Sequence, residues 1–142
     1  MLKGLDPLLP PDLLHALAAM GHGDELALVD RNYPATSTSQ RLIRLDGADT
    51  AAAARAILSL FPLDTFVDEP LLRMEVVGSP DEVTPVQQEL AGIASDLDGR
   101  EVAMGSLERF AFYERSRGAF ATVITGEDAP YACFLLIKGV IA

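Results

Sequence analysis

Few residues in this chain could move a proton at neutral pH, and their neighbours sort them. There are two histidines, His15 and His22, and an unperturbed imidazole titrates close to physiological pH. His22 stands in Gly21-His22-Gly23-Asp24, where flanking glycines allow unusual dihedrals and close approach to another group. It reads either as a turn histidine bonded to nearby backbone or as an exposed proton-transfer group. No further ligand follows His22 and Asp24 at useful spacing, so no metal site is expected. His15 lies across the helical wheel from Leu13 and Leu17 and is expected to face solvent.

Three more polar positions carry possible chemistry. Asp30 closes a short apolar strand, the place where ligands gather in layered α/β sheets, or it folds back on its own turn. Asp64, in Pro62-Leu63-Asp64-Thr65-Phe66, reads as a turn residue or as a second acid/base group. Arg109 and Tyr113 are four apart in Arg109-Phe110-Ala111-Phe112-Tyr113-Glu114-Arg115, so a helix points both to one face. Tyr131 and Cys133 share a face if a strand begins there. Cys133 reads as a small buried hydrophobe rather than a nucleophile. Phosphate-cradling glycine loops, a serine nucleophile elbow and a Walker motif are all absent. One histidine, two aspartates, one arginine and two tyrosines suit proton shuttling and hydroxyl recognition.

The elements that must position them follow from the apolar pattern. A helix opens at Pro10-Pro11-Asp12, buries Leu13, Leu14, Leu17 and Met20, and ends at a left-handed Gly21. Strands are expected at Leu26 to Val29, Leu42 to Leu45 and Leu71 to Val77, with a loop over Asn32 to Gln40. Asp49 or Thr50 caps a helix running to about Leu60, stopped by Pro62. Thr84-Pro85-Val86-Gln87 is a capping box with proline at the favoured first position, and Val86, Leu90, Ile93 and Leu97 fall on one face. A weak strand at Glu101 to Met104 precedes a helix from Leu107 to Arg117, capped by Ser106. Strands at Phe120 to Thr125 and Phe134 to Val140 are joined by a short turn, which predicts an antiparallel pair. The fold class is therefore α/β, a single domain with a mixed sheet of about six strands flanked by helices.

Composition sets the outer limits. The 142 residues fit one domain, and the net charge of −10 disfavours nucleic acid and anionic membrane surfaces. One cysteine cannot form an intramolecular disulfide. Asp6 and Pro7 interrupt any signal-peptide core, and no apolar run approaches a membrane span, so a cytoplasmic location is expected.

Ordered motifs along the chain add a resemblance. Gly21-His22-Gly23-Asp24-Glu25 with Asp30, Phe61-Pro62-Leu63-Asp64-Thr65, Arg109 to Arg115, Ala119-Phe120-Ala121, Thr125-Gly126-Glu127 and Leu135-Leu136-Ile137-Lys138-Gly139-Val140 are similar to the L-fucose mutarotase and D-ribose pyranase family. The Arg109 to Arg115 stretch resembles the fucose branch. The resemblance implies interconversion of the anomers of a free monosaccharide, without a cofactor. It also implies a mixed α/β subunit in a homo-oligomeric ring, a decamer, with the site at a subunit interface. By the same resemblance His22 is the proton donor, and Asp64 and Tyr113 take part in proton transfer. Asp30, Met74, Arg109 and Tyr131 bind the sugar. Where the family reads Tyr-Gly-Asn this chain has Tyr131-Ala132-Cys133, so Cys133 does not inherit the asparagine's hydrogen bonds. Pyran–furan interconversion of D-ribose and non-catalytic sugar binding are the alternative readings.

Overall fold

The computed structural model describes residues 1–142. Its elements, in chain order, are α1 (Pro11–Ala19), β1 (Glu25–Val29), α2 (Ala35–Thr38), β2 (Leu42–Leu45), α3 (Thr50–Leu58), β3 (Leu71–Met74), α4 (Pro85–Asp98), β4 (Met104–Leu107), α5 (Arg109–Arg117), β5 (Ala121–Thr125) and β6 (Phe134–Ile137). The strands form one six-stranded sheet in the order β2-β5-β1-β6-β3-β4. β6 runs antiparallel to both its neighbours, while β1, β2 and β5 are mutually parallel and β3 is parallel to β4. The mixed α/β sheet expected from the sequence is present.

Alternation along the central strands divides the core in two. Leu26 and Leu28 of β1, with Phe134 and Leu136 of β6, join a 27-residue cluster that also takes Leu13, Leu17, Ile57 and Leu90 from α1, α3 and α4. Ala27, Val29 and Leu135 point the other way, into an 11-residue cluster closed by Tyr33 and Phe112. These strands are apolar on both faces because both faces are covered.

Local signals explain most of the helices. Asp49 caps α3 by accepting the Ala52 N–H at 2.8 Å, and the alanine run that follows has the best intrinsic helix propensity. In α4 the Thr84–Gln87 capping box forms as expected, with Pro85 first in the helix and Gly99 left-handed at its end. Leu90 and Ile93 are buried, whereas Leu97 is exposed.

Several expectations fail, each for a physical reason. β5 and β6 do not pair, because β1 lies between them and bonds to both. The sixth strand starts at Phe134, so Tyr131 lies outside it, with a positive φ of 61°. A weak strand at Glu101 is displaced to Met104–Leu107, and Glu108, not Ser106, caps the next helix through bonds from the Phe110 and Ala111 N–H groups. Leu71 to Val77 shortens to Leu71–Met74, followed by a turn closed by a bridge between Val76 and Ser79. The Asn32 to Gln40 loop contains the single turn α2. α1 ends at an extended Met20 rather than a left-handed Gly21; Gly23 takes the positive φ instead.

Gln87 does more than cap. Its side-chain oxygen accepts the Thr84 N–H, and its Nε2 donates to the carbonyls of Met74 and Tyr131, both at 2.9 Å. It is fully buried. A single amide thus ties the end of β3 to the turn before β6. Replacing Gln87 by methionine keeps the bulk and leaves two buried carbonyls unsatisfied. We expect a loss of about 1–3 kcal/mol in urea unfolding; a loss below about 0.5 kcal/mol would remove this tie.

Candidate functional site

Strand direction decides what can meet. The carboxyl ends of β1, β3 and β4 lie at the same end of the sheet as the start of β6, because only β6 is reversed. There Asp30, Met74, Arg109, Tyr113 and Tyr131 line one cavity of about 250 Å³, together with Asn32, Tyr33, Pro130 and Cys133. Five of the seven residues singled out from the sequence therefore converge. Tyr33, Asn32 and Cys133 were not carried as site residues. Their signal was nearness in sequence to Asp30 and Tyr131.

Asp30 is buried, and both its oxygens are engaged: the Asn32 N–H donates to Oδ1 at 3.0 Å and the Cys133 thiol donates to Oδ2 at 3.3 Å. Cys133 is thus buried as expected, but it also carries a specific polar contact. Burial pushes its thiol well up, so it stays protonated and can donate. Burial also raises Asp30, against the lowering effect of the Cys133 and Asn32 bonds. On the facing helix, Arg109 Nε donates to the Tyr113 hydroxyl at 3.1 Å. That leaves the phenolic proton of Tyr113 free for another acceptor. Tyr33 packs edge to face on Tyr113 and Phe112, and its hydroxyl bonds to Ser116, which joins the Asp30 turn to α5.

His22 and Asp64 are not in this cavity. They precede β1 and β3 and so lie at the other end of the sheet. The five residues of β1 stand between, at least about 13 Å at 3.3 Å per residue. Within a single chain, His22 and Asp64 therefore do not meet Tyr113.

The two do form a pair. His22 Nε2 lies 3.0 Å from Asp64 Oδ1; the imidazole is partly exposed and the carboxylate buried. Burial raises Asp64, but the Phe66 N–H and the His22 ring lower it further, and the net position is below the usual carboxylate range. An ionised carboxylate only accepts, so Nε2 carries the hydrogen and Nδ1 is left free to take or give a proton. The pair is held from several sides. Asp98 accepts the Leu63 N–H, and Arg100 joins Asp98 to the Asp64 carbonyl. The Asp64 N–H donates to the Ile137 carbonyl, and the Lys138 backbone bonds to Gly23 and Asp24, the two residues after His22. Gly139 permits this packing: a Cβ there would stand 2.7 Å from the Leu63 oxygen and 2.8 Å from Asp64 Cα.

The surface around His22 differs from the polar cavity. A hollow of about 660 Å³ beside it is lined mainly by Leu, Ala, Met, Pro, Val and Ile side chains. Phe66, Val140 and Ile141 are exposed nearby in sequence or space. Such a face suits another protein surface better than a sugar's hydroxyls. No cluster of three or more His, Cys, Asp or Glu could hold a metal ion, and no helix is long and apolar enough to cross a membrane.

Comparison with known proteins followed the same outline. Residues 3–141 match the model of the RbsD / FucU transport protein family. A human fucose mutarotase is 48% identical over 147 residues, spanning 99% of this chain and 95% of its own length. The crystal structure of a fucose mutarotase from Streptococcus pneumoniae in complex with L-fucose superposes with a TM-score of 0.92 at 39% identity, covering 99% of this chain and all of its own. RbsD from Bacillus subtilis, complexed with D-ribose, covers both chains fully with a TM-score of 0.73 at 22% identity, a likeness of fold.

The raised Asp30 gives a signed prediction. A carboxyl raised by folding opposes the native state once it ionises, and its contribution is favourable only at low pH. Asp30→Asn keeps one acceptor oxygen for the Asn32 N–H, turns its amide NH2 toward the Cys133 sulfur, and removes the charge. Its melting temperature should exceed that of the parent at pH 7, and the difference should vanish toward about pH 3. Equal melting temperatures at pH 7 would show that the buried charge costs nothing.

Proposed function

Because the chain belongs to the RbsD / FucU family, we propose that it is a sugar mutarotase interconverting the α and β anomers of a free monosaccharide, with L-fucose as its substrate. The carrying observation is the pair of half-sites: a polar cavity for hydroxyls at one end of the sheet, and a histidine with a free Nδ1 at the other. The identity of 48% to a human fucose mutarotase supports the fucose reading. The ribose-binding relative is more distant, at 22% identity.

In this reading the active unit is a homo-oligomeric ring, a decamer, in the cytoplasm. The apolar face around His22 packs on a neighbouring copy and delivers His22 and Asp64 over that copy's cavity. Asp30 accepts from a sugar hydroxyl and the Arg109 fork donates to another. Met74 and Tyr131 line the sugar's apolar side. His22 Nδ1 takes the proton of the anomeric hydroxyl as the bond between C1 and the ring oxygen breaks. Tyr113, whose oxygen already accepts from Arg109, gives its proton to the ring oxygen. C1 becomes an aldehyde, turns about C1–C2, and the ring closes on its other face with both protons returned. Asp64 stays ionised and holds His22, rather than relaying a proton itself. No redox or group-transfer step is needed. Positioned acid and base groups contribute on the order of 10²–10⁴-fold.

Saturation transfer between anomeric proton signals measures this directly, over a panel of L-fucose, D-ribose, D-galactose and L-rhamnose. Exchange is expected with L-fucose and not with D-ribose, and His22→Ala should abolish it. Saturable binding with unaltered exchange across the panel would sink the enzymatic reading. A mixing test reads the shared site. His22→Ala and Asp30→Asn, each inactive alone, should regain exchange when dissociated and reassembled together. No recovery in verified mixed oligomers would place both halves of the site within one chain.

A further inference from the structure

Phe66 is an oddity on this surface. It is 73% exposed, yet it stands two residues after the buried Asp64. Its backbone N–H donates to Asp64 Oδ1 at 3.1 Å, the same oxygen that holds His22. Its ring meets the His22 ring edge to face, with centroids 4.8 Å apart and planes at 88°. One residue therefore touches both members of the pair, the carboxylate through its backbone and the imidazole through its side chain.

An imidazole held by one hydrogen bond can still pivot about that bond. The bond from Nε2 fixes one corner of the ring and leaves the direction of Nδ1 free. A perpendicular aromatic ring packed against the imidazole restricts that freedom. The rest of the Phe66 surface is left open in the free chain. An exposed aromatic face on the residue beside a proton-transfer group matches the C–H face of a pyranose.

We propose that Phe66 is the positioning residue that aims His22 Nδ1, and that its exposed face lies over the bound sugar when His22 is delivered to a neighbouring copy. This rests on the mutarotase reading above. The residue acts through its aromatic ring, so size alone does not replace it. Its own proton inventory is empty, and it takes no part in the bond changes at C1.

The test compares Phe66→Ala, Phe66→Leu and Phe66→Tyr with the parent protein, with oligomer size measured at the assay concentration. Phe66 is solvent-exposed, so all three should fold. With L-fucose, kcat/KM for anomer exchange should fall by about 10- to 100-fold in the alanine and leucine variants. The tyrosine variant should stay within about threefold, and the pH midpoint of exchange should move in Phe66→Ala. Leucine at parental activity would overturn the proposal, as would loss explained wholly by dissociation and restored by leucine. The His22 ring signals in proton NMR give a readout independent of turnover. They should shift in Phe66→Ala, and the histidine's titration midpoint should move. Unchanged ring signals and midpoint would overturn the positioning role whether or not the parent turns sugar over. Absent exchange in the parent, with altered His22 signals, would instead overturn the mutarotase reading and the sugar contact while leaving the positioning role standing.

Discussion

The reversed direction of β6 is the constraint on which the rest depends. Five strands point their carboxyl ends one way, and β6, bonded to β1 and β3, points its start there instead. That single reversal places Tyr131 and Cys133 beside Asp30 and Met74. The far end of the same strand then supplies the backbone that holds the other half-site. Ile137, Lys138 and Gly139 bond to Asp64, Gly23 and Pro62 respectively. Any shift of β6 register by one residue would turn Leu135 and Leu136 to the wrong faces and unseat both clusters at once. This fully buried strand is thus also the frame that sets the distance between the Asp30 cavity and the His22–Asp64 pair.

The two clusters manage charge in opposite ways. Asp64 is surrounded by donors from Phe66 and His22 and sits below the usual carboxylate range, so its charge is already compensated. At Asp30 burial outweighs the help given by the Cys133 thiol and by backbone N–H groups led by Asn32. A carboxylate left short of donors can accept from an incoming hydroxyl without first giving up a strong partner. The thiol matters here, because it is a weaker donor than an amide and keeps Asp30 available. The net charge of −10 is neutral to this chemistry: an uncharged sugar is indifferent to it, and it favours solubility.

Sequence carried a good deal of this and failed at definable points. Capping boxes and proline positions are local, so the start of α4 was legible at Thr84 to the residue. Asp30, Arg109, Tyr113, Met74 and Tyr131, each singled out through family resemblance, line one cavity. Strand pairing is non-local. A short turn between Thr125 and Phe134 suggests a hairpin, yet β1 takes the place between because its apolar residues fill both cores. The fourth strand is expected three residues too early, at Glu101, because Gly105 and Ser106 carry little strand propensity; a Cβ at Gly105 would stand within 2.8 Å of the Glu69 and Leu72 side chains. The separation of His22 from Asp30 was invisible in composition or spacing. It is a property of strand direction alone.

That separation bears on why a chain of this size would assemble. An acid/base pair at one end of a five-residue strand and a hydroxyl pocket at the other cannot meet within one rigid sheet. Bending the sheet to join them would break ladders that the core depends on. Joining two copies costs only the entropy of association, offset by burying the apolar surface that already surrounds His22. The arrangement also protects the chemistry. On the proposed shared site, Asp30 and Arg109 of a lone chain would hold a sugar without opening its ring, and proton transfer would be tied to assembly. An exposed apolar rim beside His22, which would be a liability on a monomer, is what the proposed shared site requires.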